Sequence, residues 1–115
     1  MLPKSQRLNL KTDFKWVAAG KRLETKYLKL FVKIGDNTFP RVGIAVSGKV
    51  FKKATQRNRA RRLVSSAFES LYSNLPKSIN IVALPKMQVL DVKSADVLLD
   101  LGAVLKNEKI IFDTN

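Results

Sequence analysis

Between Arg57 and Leu71 the apolar residues recur with a single period and no miss. Ala60, Leu63, Val64, Ala67, Phe68 and Leu71 fall at i, i+3, i+4, i+7, i+8 and i+11. Only an α-helix puts such a set on one face, and that face must be buried against something. The spacing predicts a helix from about Arg57 that ends before Pro76. The segments on either side follow the other period. Residues 27–34 alternate strictly, with Leu28, Leu30, Val32 and Ile34 on one side and Tyr27, Lys29, Phe31 and Lys33 on the other, which predicts a half-buried strand. Gly35-Asp36-Asn37 is a turn signal. Residues 41–47 predict a second strand with Val42, Ile44 and Val46 on one face, and the two strands are expected to pair as an antiparallel hairpin. Residues 79–84 predict a short, mostly buried strand closed by Pro85. With that strand in the sheet, the helix becomes a crossover.

The two ends of the chain add helices. Leu10, Phe14, Val17 and Ala18 fall at helical spacing, with Thr12 as the expected cap and Gly20 as the stop. A last helix is expected from Ser94 or Asp91 to about Leu105, with Val97, Leu98, Leu101, Val104 and Leu105 as its apolar set. Gly102 inside it costs about 1 kcal/mol relative to Ala. The tail from about Asn107 is expected to fray. No linker, repeat or low-complexity segment divides the 115 residues. One domain is expected over 1–115, of α+β class, an α/β sandwich with the order helix, strands, helix, strand, helix.

Charge is distributed unevenly. Residues 1–62 hold 17 Lys/Arg against 3 Asp/Glu, a surplus of 14, while residues 63–115 hold 5 against 6. A basic surface of this size attracts polyphosphate and releases its counterions on binding. An anionic membrane would ask for a basic helix with a free apolar face, and the helix at Arg57 needs that face for the core. No apolar run approaches the roughly 18–20 residues of a membrane span, and the first residues lead into no apolar segment of a secretory signal. The absence of Cys and His excludes disulfides, thiolate metal sites and the Ser-His and Cys-His pairs of nucleophilic catalysis. The acids are scattered. Asp96 and Asp100, four apart on the last helix, are the best pair for a metal, and a solvated helix face is their ordinary reading.

Lys49, Lys52, Lys53, Arg57, Arg59, Arg61 and Arg62 place seven cations in fourteen positions, with no acid until Glu69. Arginines at a helix start repel one another and oppose the helix dipole. A bound anion reverses that conflict, because free backbone N–H groups and guanidinium forks both point at it. At 100° per residue, Arg59 and Arg61 lie on opposite flanks of the apolar set, with Asn58 and Arg62 near the outward face. Such a wrap suits a phosphate backbone better than a base code. A solvated basic helix end is the plain alternative.

Val42-Gly43-Ile44-Ala45-Val46-Ser47, then Lys49, Ala54-Thr55, Gln56-Arg57-Asn58-Arg59-Ala60-Arg61-Arg62-Leu63-Val64 and Ala67-Phe68 resemble the protein component of bacterial ribonuclease P. That family's signature is a strand V-G-x-x-V-S, a basic connector and a helix opening R-N-R-x-K-R-L. Arg7-Leu8, Asp13-Phe14, Val17 and Gly20 are similar to the family's opening helix, and Ile81-Val82-Ala83 with Pro85 to its late strand. The resemblance spans about residues 7–86. The chain departs from the pattern at Gly48, at Phe51-Lys52-Lys53 (one residue longer and without the usual glycine), at Ser65, Ser66 and Glu69, at Ala18-Ala19, and at Leu84.

The resemblance implies an α/β sandwich with a left-handed βαβ crossover at the Arg57 helix. It implies a protein subunit whose partner RNA carries catalysis, with Mg²⁺ held mainly by that RNA. The pair removes the 5′ leader of precursor tRNA by hydrolysis in the cytoplasm, with the protein present as a monomer in the complex. The isolated protein is not expected to be catalytic or to bind a metal of its own. Arg57, Asn58, Arg59, Arg61, Arg62, Lys49, Lys52 and Lys53 are then the surface for the catalytic RNA. Phe14, Val17, Lys29, Phe31 and Lys33 are the cleft for the single-stranded leader, in the manner of aromatic platforms beside a positive groove. Phe14 and Phe31 equally suit plain packing. A basic ribosomal or structural RNA-binding protein is the alternative function, and a helix in a DNA major groove a weaker one.

Overall fold

The strand Ile79–Pro85 is buried on both faces along nearly its whole length, and a strand of that kind belongs inside a sheet with cover on each side. The computed structural model describes residues 2–111 and places this strand accordingly. The order is a 3-10 turn at Lys4–Gln6, α1 (Leu10–Ala18), β1 (Lys21–Glu24), β2 (Leu28–Ile34), β3 (Arg41–Ile44), α2 (Ala54–Leu71) with a 3-10 turn at Tyr72–Asn74, β4 (Ile79–Pro85), a 3-10 turn at Met87–Asp91, and α3 (Ser94–Asn107). The sheet runs β1-β2-β4-β3. β4 pairs antiparallel with β2, Leu30 opposite Ala83, and parallel with β3, Val42 opposite Ile81.

The expected hairpin between residues 27–34 and 41–47 is therefore not formed: β4 lies between the two strands. Consecutive strands are usually neighbours, but here the strand most apolar on both faces takes the centre. The β2–β3 connection instead spans the strand between them. Asn37 Nδ2 donates to Phe39 O at 2.8 Å and to Ile79 O at 3.1 Å, and the Tyr72 hydroxyl donates to Pro40 O at 2.6 Å. Burial pushes that hydroxyl above its usual range of ionisation. β3, α2 and β4 form the crossover. β3 stops at Ile44, short of the expected residue 47, although Ala45 N still donates to Ala83 O at 2.9 Å.

β1 has no counterpart in the pattern of the sequence. Lys-Arg-Leu-Glu carries one apolar residue, Leu23, which is buried, and its charges suit a sheet edge. β1 is tied to the last helix from its turn. The Asp100 carboxylate accepts from Lys26 N at 3.1 Å and Tyr27 N at 3.0 Å. Asp96 accepts from Lys93 N at 3.0 Å at the start of α3. Asp96 and Asp100 thus serve the backbone; Asp96 is exposed, as the solvated face suggested by their spacing has it, and Asp100 is half-buried.

Two layers of helix cover the sheet. Leu28, Leu30, Val32, Ile79, Ile81, Ala83 and Val42 face α2 and α3 in the main core, with Val64, Phe68, Leu101 and Leu105. Phe31, Val82, Leu84 and Ala45 face α1, around Leu8 and Val17. α1 crosses the strands. A Cβ on Gly43 would come within 2.7 Å of Leu10, and one on Gly20 within 2.4 Å of Val32 O. The two glycines let the helix start lie on β3 and its end on β2. Asn9 caps α1, accepting from Lys11 N at 3.1 Å. Thr12 lies inside the first turn and donates back to Asn9 O at 3.4 Å, so it is not the cap. Gly102 is buried within an unbroken α3. Past Asn107 the chain turns back onto α3. Lys109 adopts φ 59°, Ile110 N returns to Leu105 O at 2.9 Å, and Ile111 is buried. The rest of the expected frayed tail, 112–115, lies outside the described residues.

Removing the Asp100 carboxylate leaves Lys26 N–H without its acceptor and Tyr27 N–H with only Thr25 Oγ1 at 3.2 Å. Asp100→Ala should lower unfolding free energy by about 1–3 kcal/mol, read as a lower urea midpoint with an unchanged m-value. Ala103→Ser on the exposed side of α3 should leave the midpoint within about 0.5 kcal/mol.

Candidate nucleic-acid interface

The connector between β3 and α2 is held from within. Phe51, a departure from the family pattern, is fully buried at 0% exposure, and Phe51 N donates to Ser47 O at 2.9 Å. Lys49 N donates to Ser47 Oγ at 3.1 Å. With Phe51 anchored inside, Lys49, Lys52 and Lys53 are left exposed. Gly48 has open space around its Cα.

α2 begins at Ala54, three residues before the start predicted by the apolar period. The arginines consequently occupy its second and third turns, and Lys53 stands at the N-cap. The conflict between arginine and helix dipole is therefore smaller than a start at Arg57 implies, since the dipole acts mainly over the first turn. The first turn carries no acid. Gln56 Oε1 accepts from Lys53 N at 3.5 Å, and Arg57 Nη1 donates to Phe51 O at 2.8 Å and to Lys52 O at 3.2 Å. Arg57 thus fastens the connector to the helix.

The remaining arginines fan out around the helix. Arg59 leans to one flank, its Nε donating to Leu90 O at 3.3 Å. Arg61 leans to the other, its Nη1 donating to Asn58 Oδ1 at 3.2 Å. Arg62 is exposed. Arg61 lines two neighbouring openings. One lies between the N-terminal segment and α2, with Arg7, Leu8, Gly43 and the buried Ser65. The other lies beside α1, with Leu10, Phe14, Ala45, Ser47 and Leu84. The basic helix and the cleft, expected as separate surfaces, therefore meet at Arg61.

The five cleft residues are not all together. Phe14 and Phe31 are both half-buried in the cluster around Val82, so each packs and still shows an edge. Lys29 is exposed on the same sheet face as Phe31. Val17 is fully buried; it supports the floor and presents no surface to a ligand. Lys33 points to the far side of α1, its Nζ 4.8 Å over the Trp16 ring, so it does not line the cleft. Arg7 and Ser47 were not legible as site residues. Arg7 arrives through a parallel bridge to Val42, which no periodicity encodes. Among the departures, Leu84 lines the cleft, Ser65 is buried beside Arg61, and Ser66 and Glu69 are on the outer face of α2.

A sequence model of the ribonuclease P family matches residues 2–109. The chain is 39% identical over 109 residues to the ribonuclease P protein component of Pseudanabaena sp., covering 93% of this chain and 90% of that one. It is 33% identical over 108 residues to that of Syntrophus aciditrophicus, with coverage of 93% and 90%. The fold is similar to the Thermotoga maritima RNase P protein, with TM-score 0.77 at 31% identity over 88% of this chain and 96% of that one. A Staphylococcus aureus RNase P protein variant shares the fold, with TM-score 0.81 at 22% identity over 94% and 92%.

Because Arg57 binds two connector carbonyls and Arg62 is exposed, the two should differ in stability. Arg57→Ala should destabilise the free protein by about 1–2 kcal/mol, and Arg62→Ala by less than about 0.5 kcal/mol. Thermal unfolding of the two variants at fixed salt compares them directly.

Proposed function

The chain belongs to the ribonuclease P protein family, and from that premise we propose that it binds the enzyme's catalytic RNA and the 5′ leader of precursor tRNA, assisting removal of the leader. Membership makes it the protein component of an endoribonuclease that works as a ribonucleoprotein in tRNA processing. The observation that carries the finer reading is the junction at Arg61. A run of exposed cations, Lys49, Lys52, Lys53, Arg59 and Arg62, continues through Arg61 into an opening edged by Phe14. Guanidinium forks on an exposed helix hold phosphates. A half-buried aromatic edge beside them holds unpaired bases with little sequence preference. One surface thus engages a folded RNA and a single strand next to it.

The chain's own groups supply binding and orientation. Among the described residues no cluster of three or more His, Cys, Asp or Glu has the spacing of a metal centre. Asp96 and Asp100 are committed to backbone N–H groups. The donor set does not suit a catalytic Mg²⁺, so the reading assigns the Mg²⁺ of phosphodiester hydrolysis to the RNA partner. The protein acts in the cytoplasm as one copy in the complex.

The test is cleavage of precursor tRNA at low Mg²⁺ by the catalytic RNA of the same source. Cleavage should be slight with RNA alone, restored by the protein, and absent with protein alone. RNA binding without restored cleavage would instead mark a structural RNA-binding protein on the same scaffold. Arg62→Ala should weaken binding to the catalytic RNA and lower the salt slope by about one. Phe31→Ala should weaken leader-bearing precursor more than mature tRNA. Equal losses for the two would point to damaged packing around Val82.

A further inference from the structure

α1 divides the outer face of the sheet, and its far flank borders a second opening, lined by Asp13, Trp16, Asp36, Asn37, Arg41 and Asn80. The floor is Asn80, only 3% exposed. Its amide nitrogen lies 2.9 Å from Asn37 Oδ1, 3.3 Å from Lys33 O and 3.4 Å from Ser78 O. Three acceptors around the nitrogen fix the orientation of the amide, and no donor among the described residues reaches its carbonyl oxygen. Among the described residues no enclosed side-chain oxygen or nitrogen lacks a partner, so this oxygen is open to the cavity that Asn80 lines. Asn37 is held in turn by its donation to Phe39 O and Ile79 O. The floor is a fixed acceptor, with no donor among the described residues, that is open to a ligand or water.

Two of the walls, Asp13 and Asp36, have the same polarity, and Arg41 and the Lys33 ammonium over Trp16 are the cations beside them. Neither Asp13 nor Asp36 forms an ion pair among the described residues. Asp13 gains from the start of α1, but Asp36 has no such reason. Two carboxylates repel phosphate, so this opening does not extend the polyanion surface. Trp16 is 42% exposed beside it, with Lys33 Nζ 4.8 Å over one face of its ring, and a Cβ on Gly35 would come within 2.7 Å of its Cη2. Arg41 sits on the rim, 5.4 Å over the Phe39 ring. A fitting ligand has a flat ring, at least two adjacent donors, and phosphates outside the acidic walls.

We propose that this opening takes one unpaired guanine base of RNA. Guanine alone among the four bases presents two adjacent donors, N1–H and the 2-amino group, which match one carboxylate. Its O6 leaves an acceptor for Arg41. Adenine and cytosine would set a ring nitrogen acceptor against the same carboxylate, and uracil flanks its single N–H with two carbonyls. Stacking on an aromatic ring with hydrogen bonds to the base edge is the usual way unpaired RNA bases are told apart. The proposal rests on the reading that the chain binds RNA.

Trp16 is the chain's only tryptophan, so its emission reports on the opening. The full chain is titrated with three pentaribonucleotides of equal charge: one central guanosine among uridines, one central inosine, and uridine throughout. Saturable quenching is expected, with the guanosine pentamer about tenfold tighter than the uridine one and inosine, lacking the 2-amino group, between them. Asp36→Asn, in an exposed loop, should bring the affinities for the three pentamers together, the lost repulsion acting on all of them alike. Asp13→Asn is the second variant. Equal affinity for all three pentamers overturns the proposal. So does a guanine preference that survives both variants, or quenching by MgCl₂ alone that competes with the guanosine pentamer, which would mark a cation site. In the holoenzyme, a loss by Asp36→Asn confined to guanine-bearing leaders assigns the base to the precursor. An equal weakening of assembly with the catalytic RNA assigns it there. Restored cleavage without any guanine preference would leave the RNase P reading standing and remove this one.

Discussion

β4 is buried on both faces, and everything else in the molecule is arranged to cover it. A strand buried on each side needs a neighbour at each edge and a layer above and below. β2 and β3 supply the edges and are kept apart by it. α2 and α3 supply one layer through Phe68, Val64, Leu101 and Leu105. The other face has only α1, a helix of nine residues. One short helix cannot cover the whole outer face of a four-stranded sheet. Set across the strands, with Gly20 and Gly43 allowing close approach, it covers Val82 and leaves an opening on each flank. The cleft at Phe14 and the acid-walled opening at Trp16 are both consequences of that incomplete layer.

The same demand on α2 determines where its cations go. Its apolar face is used in full by the core, so Arg59, Arg61 and Arg62 must stand on the flanks and outside. Their mutual repulsion is eased by carbonyl groups more than by acids. Arg57 binds Phe51 O and Lys52 O, and Arg59 binds Leu90 O. A guanidinium held by a backbone carbonyl keeps its charge and most of its donors. That solution leaves the surface basic, where salt bridges would have neutralised it. Phe51 has the matching role in the connector: one buried ring fixes a loop whose remaining residues can then be lysine.

Strong periodicity made α2, β2 and the apolar set of α3 legible in the sequence, and β4 could be read as a strand from its apolar run. Pairing could not be read. Nothing local says that residues 79–85 insert between the two earlier strands, because the advantage of that order is burial of both faces in three dimensions. β1 escaped notice because an edge strand needs only one apolar residue, Leu23. Asn9 was overlooked as a cap because the period of α1 is too short to fix its first residue. Of the site residues, Arg59 and Arg61 were placed on opposite flanks by angle alone, and the structure puts them at Leu90 and beside Phe14. Angle could not show that Arg57 turns back on the connector. Nor could strand alternation distinguish Lys29 from Lys33, which share a sheet face and are separated only by the helix that crosses it.

The charge asymmetry of the chain follows from this architecture. Three acids of the last 53 positions, Asp96, Asp100 and Glu108, lie in α3 and at its end; Asp96 holds the start of its own helix, and the other two hold backbone or a cation of the first half. Asp100 fixes the turn after β1, and Glu108 meets Lys21 at 3.2 Å. Glu24 of the first half meets Lys86 of the second at 3.2 Å, and that hydrogen bond and charge hold its carboxyl below the ordinary range. Its ionised form is therefore favoured by folding, and the contribution is present at neutral pH and lost as the pH falls through the carboxylate range. These pairs are exposed and individually weak. Their shared location is informative: they gather along the β1 edge and α3, away from the connector and the first turns of α2. Acids placed among Lys49–Arg62 would stabilise the free chain and weaken its attraction for polyphosphate in equal measure. The acids that form these pairs stand on the opposite edge of the sheet, where they tie the edge strand to the last helix without screening the basic face.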